Sequence, residues 1–119
     1  MPEAIMNLSA EHREGVLVVH LAEPRLDAAI AIRFKERMRE IADQPGTRVL
    51  IEMSKVEFLD SSGLGAVVAV MKSLAPDRQL ELCALTPNVE KVFRLTRMDS
   101  VLSLHPDLET ALGKGRKYA

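Results

Sequence analysis

The chain has 119 residues, enough for one domain that buries roughly two thirds of its unfolded surface. Hydrophobic residues make up 47% and charged residues 28%, which excludes a disordered chain, and 16 basic against 17 acidic residues leave a net charge of -1, too little to draw a polyanion or a membrane surface. With aromatics at 3%, no tryptophan and no apolar run of about 18 residues, a cytosolic protein is expected, with no nucleic-acid partner and no membrane insertion.

Ile5 to Leu8 and Gly15 to Leu21 read as two strands joined by a polar turn over Glu11 to Gly15, so the chain is expected to open on a hairpin. From Asp27 to Asp43 the apolar positions Ile30, Phe34, Met38 and Ile41 step by four, four and three, which places them on one face of a helix. That helix ends before Pro45-Gly46. Val49-Leu50-Ile51 is short and rich in β-branched residues, as suits a strand covered on both faces. Residues 54–60 read as a loop, and Ser61-Ser62-Gly63 leads into the apolar run Leu64 to Leu74, too long for an ordinary strand and therefore helical.

Gln79 to Leu85 supplies another strand, in which Cys83, the single cysteine, reads as a core residue that cannot form an intrachain disulfide. Thr86-Pro87-Asn88 then starts a helix with a capping hydroxyl and a proline in its first turn, and Val89, Val92, Phe93 and Leu95-Thr96 supply its apolar side. Val101 to Leu104 is read as a last strand and Pro106 to Leu112 as a last helix. The order β-β-α-β-α-β-α-β-α implies an α/β fold, a mixed sheet of about four to five strands covered by about four helices. Residues 1–112 are read as a single domain and 113–119, with Lys114, Arg116 and Lys117, as a short frayed basic tail.

One segment is distinctive: the strand Arg48 to Met53, a short loop with Phe58-Leu59, then Asp60-Ser61-Ser62-Gly63-Leu64-Gly65 at the head of an apolar helix. Between a buried strand and such a helix, this hexapeptide resembles the signature of the STAS family, particularly its anti-sigma factor antagonists, and the resemblance extends from Val16 to Leu112 with Leu26-Asp27 and Thr86-Pro87-Asn88-Val89 included. The resemblance implies a STAS-type fold and a bacterial regulator that works by partner switching. It implies that Ser61 accepts a phosphate, that the unmodified form binds an anti-sigma factor with GHKL-type serine kinase activity, and that a PP2C-type serine phosphatase reverses the modification. Ser62 is the second candidate acceptor, and its expected job is capping the helix.

Asp27, Asp60, Ser62, Gly63, Leu64, Gly65 and Val67 complete the expected phosphorylation loop and contact surface. Gly63 and Gly65, lacking Cβ, are given matching roles in letting a kinase approach. Asp27 positions the loop, caps the first helix, or does both. The second helix, apolar nearly all round, leaves two readings open: a partly exposed binding face with Val67, Val70 and Leu74, or burial on both sides. Where relatives usually carry glycine shortly before the Leu-Asp pair, this chain has Pro24, so a stiffer loop is expected.

No catalytic, metal or cofactor constellation stands out. Ser61 lacks a nucleophile elbow, His12, His20 and His105 have no ligand spacing and read as ordinary turn, strand or surface residues, and Gly63-Leu64-Gly65 is not followed by a Walker lysine. A binding module rather than an enzyme is therefore expected. The rival reading is a constitutive STAS adaptor, or a subunit of a signalling or membrane transport complex, in which Ser61 is never phosphorylated.

Overall fold

A computed structural model describes residues 6–43 and 48–113. The expectations for Ile5, for Pro45-Gly46 and for the basic tail beyond Gly113 fall outside those residues. Among the described residues, seven strands and four helices follow in chain order: β1 (Leu8–Arg13), β2 (Val16–Leu21), β3 (Arg25–Leu26), α1 (Ala31–Ile41), β4 (Arg48–Glu52), β5 (Phe58–Leu59), α2 (Ser61–Leu74), β6 (Leu80–Cys83), α3 (Pro87–Leu95), β7 (Ser103–His105) and α4 (Leu108–Ala111), with a 3-10 turn over Met98–Ser100. Five strands form one sheet in the order β1-β2-β4-β6-β7, with β1 antiparallel to β2 and every other pair parallel.

The sheet separates two cores, because alternate side chains of each strand point to opposite faces. Leu17 and Val19 of β2, Val49 and Ile51 of β4, and Leu80 and Leu82 of β6 face α1, α2 and α3, where Phe34, Met38, Val67, Val70 and Phe93 meet them. On the other face Val16, Val18, Leu50 and Cys83 pack beneath Ala111 and Leu112 at the α4 end of the chain. β4, at the sheet's centre, is therefore fully buried from Val49 to Ile51, as its unbroken apolar run predicts. Burial pushes the Cys83 thiol up to about 12, so the cysteine stays a neutral core residue.

Several boundaries differ from those read in the sequence. The first strand runs on to Arg13, and the turn shrinks to Glu14-Gly15, both with positive φ, the conformation that a two-residue hairpin needs. α1 starts at Ala31 rather than Asp27, and its N-cap position is Ile30, whose side chain cannot cap. Asp27 instead accepts from the backbone N–H of Ala29 at 3.0 Å, holding a turn that delays the helix. Thr86 occupies the N-cap position of α3, but its hydroxyl donates to the Val56 carbonyl at 2.8 Å and ties the loop ahead of the motif to the third helix. Leu95 is 74% exposed, so only Val89 and Phe93 of α3 are fully buried. The last strand shifts to Ser103–His105 because Met98–Ser100 winds into the 3-10 turn, and α4 is a single turn capped by Asp107.

Candidate functional site

The expected loop between β4 and α2 contains a strand. Phe58-Leu59 pairs in parallel with Arg25-Leu26, giving a two-residue ladder separate from the main sheet. Phe58 N and Glu57 N both donate to the Pro24 carbonyl, and Asp60 N donates to that of Leu26. The ladder thus fixes the segment that delivers Asp60 to the head of α2. Leu26 and Leu59 point into the core, whereas Arg25 and Phe58 remain on the outside.

Asp60, not Ser62, caps the helix. Its Oδ1 accepts from Gly63 N at 2.8 Å and its Oδ2 from Ala28 N at 3.2 Å, so one carboxylate holds both the helix start and the segment leading to α1. Ser61 and Ser62 are the first two residues of α2, and both are exposed. The Ser61 hydroxyl makes no hydrogen bond with any described residue. An exposed, unengaged hydroxyl on a fixed backbone is what a group-transfer enzyme needs to reach.

The two glycines have different roles, contrary to the expectation from sequence. A Cβ on Gly63 would lie 2.0 Å from the Leu26 carbonyl oxygen, whereas one on Gly65 would meet nothing within 4 Å. Gly63 is a packing requirement where α2 crosses β3. Gly65 is exposed four residues after Ser61, on the same helix face, and keeps that face flat. Leu64 is half-buried, and Val67, Val70 and Leu74 are all buried, Val67 completely, which removes them from any exposed binding face. The apolar circumference of α2 is explained by burial between the sheet and α1, with Val68, Ala69 and Met71 half-buried at its flanks. Asp27, with its side chain 19% exposed, lies beside the ladder and accepts from Arg25 Nε at 3.0 Å.

His20 and His105 are more engaged than their sequence positions suggest. His12 lies on β1 rather than in a turn and is exposed. His105 places Nε2 2.8 Å from Glu81. His20 stands between two carboxylates, with Nε2 2.9 Å from Glu11 and Nδ1 3.1 Å from Glu52. Burial alone would lower its pKa, but hydrogen bonds to Glu11 and Glu52 outweigh that and raise it above 6.5. A raised folded value gives stability that is fully present below the unfolded pKa and lost as pH rises through the folded one. His20→Gln is therefore expected to cost about 0.5 kcal/mol more at pH 5.5 than at pH 8.5 in urea unfolding, a small effect because the site is partly exposed. An equal cost at both would mean that the ring is not charged in the fold.

Among the described residues, no group of three His, Cys, Asp or Glu side chains could hold a metal ion, and no helix is long and apolar enough to cross a membrane. A cleft of about 260 Å³ between α3 and β7, lined by Leu85, Glu90, Arg94, Leu104, His105 and Pro106, includes no residue of the Ser61 site.

A family model described as STAS domain matches residues 7–111. The chain is 26% identical over 102 residues to the anti-sigma-B factor antagonist of Listeria monocytogenes serovar 1/2a, an alignment that covers 83% of this chain and 90% of the relative. Among solved structures, an anti-sigma factor antagonist from Mycobacterium paratuberculosis superposes with a TM-score of 0.81 at 26% identity, covering 91% of this chain and 92% of that one. The Bacillus cell fate determinant SpoIIAA in its phosphorylated form shares the fold, with a TM-score of 0.62 at 20% identity over 88% of this chain and 96% of that one.

Proposed function

Because the chain belongs to the STAS domain family, we propose that it is a cytoplasmic bacterial anti-sigma factor antagonist that acts by partner switching through Ser61. The observation that carries this reading is the free, exposed Ser61 hydroxyl on the first residue of α2, beside a capping Asp60 whose two oxygens are already engaged. The names of the Listeria and mycobacterial relatives support the functional class, and the existence of a phosphorylated SpoIIAA supports the chemistry.

In this reading the partner is an anti-sigma factor of the GHKL kinase type, which binds the unmodified form and so releases its own target. The kinase transfers the terminal phosphoryl group of ATP to Ser61 Oγ, with ADP leaving and the hydroxyl proton lost. A PP2C-type phosphatase hydrolyses the ester and restores the serine. The modification adds about -1.5 to -2 charge next to Asp27 and Asp60. The helix start, equivalent to about half a positive charge, tolerates that charge locally, so the fold persists while the surface presented to the partner turns anionic. A partner surface fitted to the neutral serine then faces like charge or loses contact.

Paired baits carrying Ser61→Ala and Ser61→Asp, offered to lysate of the source cells, test the reading. The alanine form is expected to retain an ATP-binding kinase that the aspartate form binds about 10- to 100-fold more weakly, a difference of about 1.4 to 2.7 kcal/mol. Native protein should contain a fraction heavier by one phosphate, and Ser62→Ala should leave that fraction in place. Equal capture by both baits, or capture of transporter subunits, would favour the constitutive adaptor.

A further inference from the structure

We propose that Arg25 is an intramolecular receptor for the phosphate on Ser61. This rests on the reading that Ser61 is the modified residue, and it adds a phosphate-binding side chain from a different part of the sequence.

Arg25 is already positioned for the task. It pairs with Phe58 in the β3–β5 ladder, and its guanidinium lies over the Phe58 ring, 4.2 Å from the centroid. Stacking holds the guanidinium plane while leaving its edge, where the N–H groups point, available for hydrogen bonds. Only Nε has a partner among the described residues, Asp27 Oδ2 at 3.0 Å; the two terminal nitrogens have none, and the side chain is 58% exposed. A planar pair of unengaged donors matches the oxygens of a phosphate monoester.

The direction of the side chain is favourable as well. Arg25 reaches forward along β3 to Asp27, the end of the ladder at which Ala28 N meets Asp60 and α2 begins. From Phe58 to Ser61 the backbone advances three residues, about 10 Å at the rise of an extended strand. Arg25 starts on the neighbouring strand and already leans that way, towards Asp27. The electrostatics favour such a partner. Asp60 adjoins Ser61 in the chain, and Asp27 precedes Ala28, whose N–H donates to Asp60, while both Asp60 oxygens are committed to backbone N–H groups. Phosphorylation would set a third anionic group beside them, and Arg25, fixed to the same ladder, is placed to neutralise it. In the modified form the terminal nitrogens of Arg25 close onto the phosphate while Nε keeps Asp27, so the rim beside Phe58 is tightened in addition to gaining charge.

The test uses the full chain with phosphoserine installed at position 61 by site-specific incorporation, which needs neither kinase nor partner. The second phosphate ionisation is followed by phosphorus NMR in the parent, in Arg25→Gln and in Arg25→Lys, and each protein's fold is checked by its amide spectrum. A nearby cation favours the dianion, so the ionisation should move up by roughly 0.5 to 1 pH unit in Arg25→Gln and by less in Arg25→Lys, which keeps the charge but not the fork. The same midpoint in all three overturns the proposal while leaving the switch at Ser61 intact. Conversely, native protein that is never phosphorylated would remove the biological role of Ser61 and leave a measured Arg25 shift standing.

Discussion

Gly63→Ala is expected to destabilise the protein by at least about 2 to 3 kcal/mol, whereas Gly65→Ala, two residues along the same helix, should stabilise it by about 0.5 to 1 kcal/mol. At Gly63 the added carbon would lie 2.0 Å from the Leu26 carbonyl oxygen and 2.8 Å from its carbon, and neither atom is the movable tip of a side chain. Leu26 is fully buried, and its carbonyl accepts from Asp60 N. Relief therefore means separating α2 from β3, which breaks the ladder and pulls Ala28 from Asp60. Around Gly65 there is open space, and a helical alanine there is favoured over glycine by its smaller loss of backbone entropy. Urea unfolding of the two variants measures both effects, and equal stability would show that the crossing of α2 over β3 is not tight. A bulky residue at position 65 separates the roles further: the fold should survive, and partner binding should fall, because the flat strip beside Ser61 is lost.

The elements legible in the sequence are those whose burial writes a long pattern. Val49 to Ile51 reads as a covered strand because it is covered on both faces, and Phe34 and Met38 mark the inner side of α1. Asp60-Ser61-Ser62-Gly63 was legible as a motif at a helix start, and Ser61 stands there. The β3–β5 ladder was not legible, because two-residue strands have no periodicity and the pairing brings together residues more than thirty positions apart. β1 was misplaced for a different reason: as an edge strand it buries only Leu8, and its polar residues resemble a turn. Capping was ambiguous wherever several oxygen-bearing residues compete. Asp60 takes the place that Ser62 was expected to fill, and Thr86 spends its hydroxyl on Val56. For Val67 the sequence leaves both readings open, since an all-apolar helix looks the same whether a partner or the protein's own core covers it, and the fold buries it completely.

Arg48→Ala is expected to cost about 3 kcal/mol at neutral pH, and distinctly less near pH 4. Glu81, 5% exposed, is the buried charged residue of the face beneath α4. It receives Arg48 through Nε at 2.7 Å and a terminal nitrogen at 2.5 Å, with His105 at 2.8 Å from the same carboxylate. Arg48 also donates to the Ala111 carbonyl at 2.9 Å, so the pair fastens α4 to the sheet. Burial alone would raise the Glu81 pKa, but the bonds from Arg48 and His105 outweigh it and hold the carboxyl below 4.5. In the parent its contribution is therefore present above the unfolded value and lost as pH falls through the folded one. Removing Arg48 leaves the carboxylate buried with His105 alone, the situation in which breaking a pair costs about 3 to 5 kcal/mol. The folded pKa of Glu81 then rises, and acid, by neutralising the stranded group, shrinks the gap between variant and parent. Urea unfolding across that pH range measures it. The double variant Arg48→Met with Glu81→Gln should regain much of the loss, since it leaves no stranded charge. A single-variant cost that does not vary with pH would assign Arg48 to the Ala111 contact rather than to Glu81.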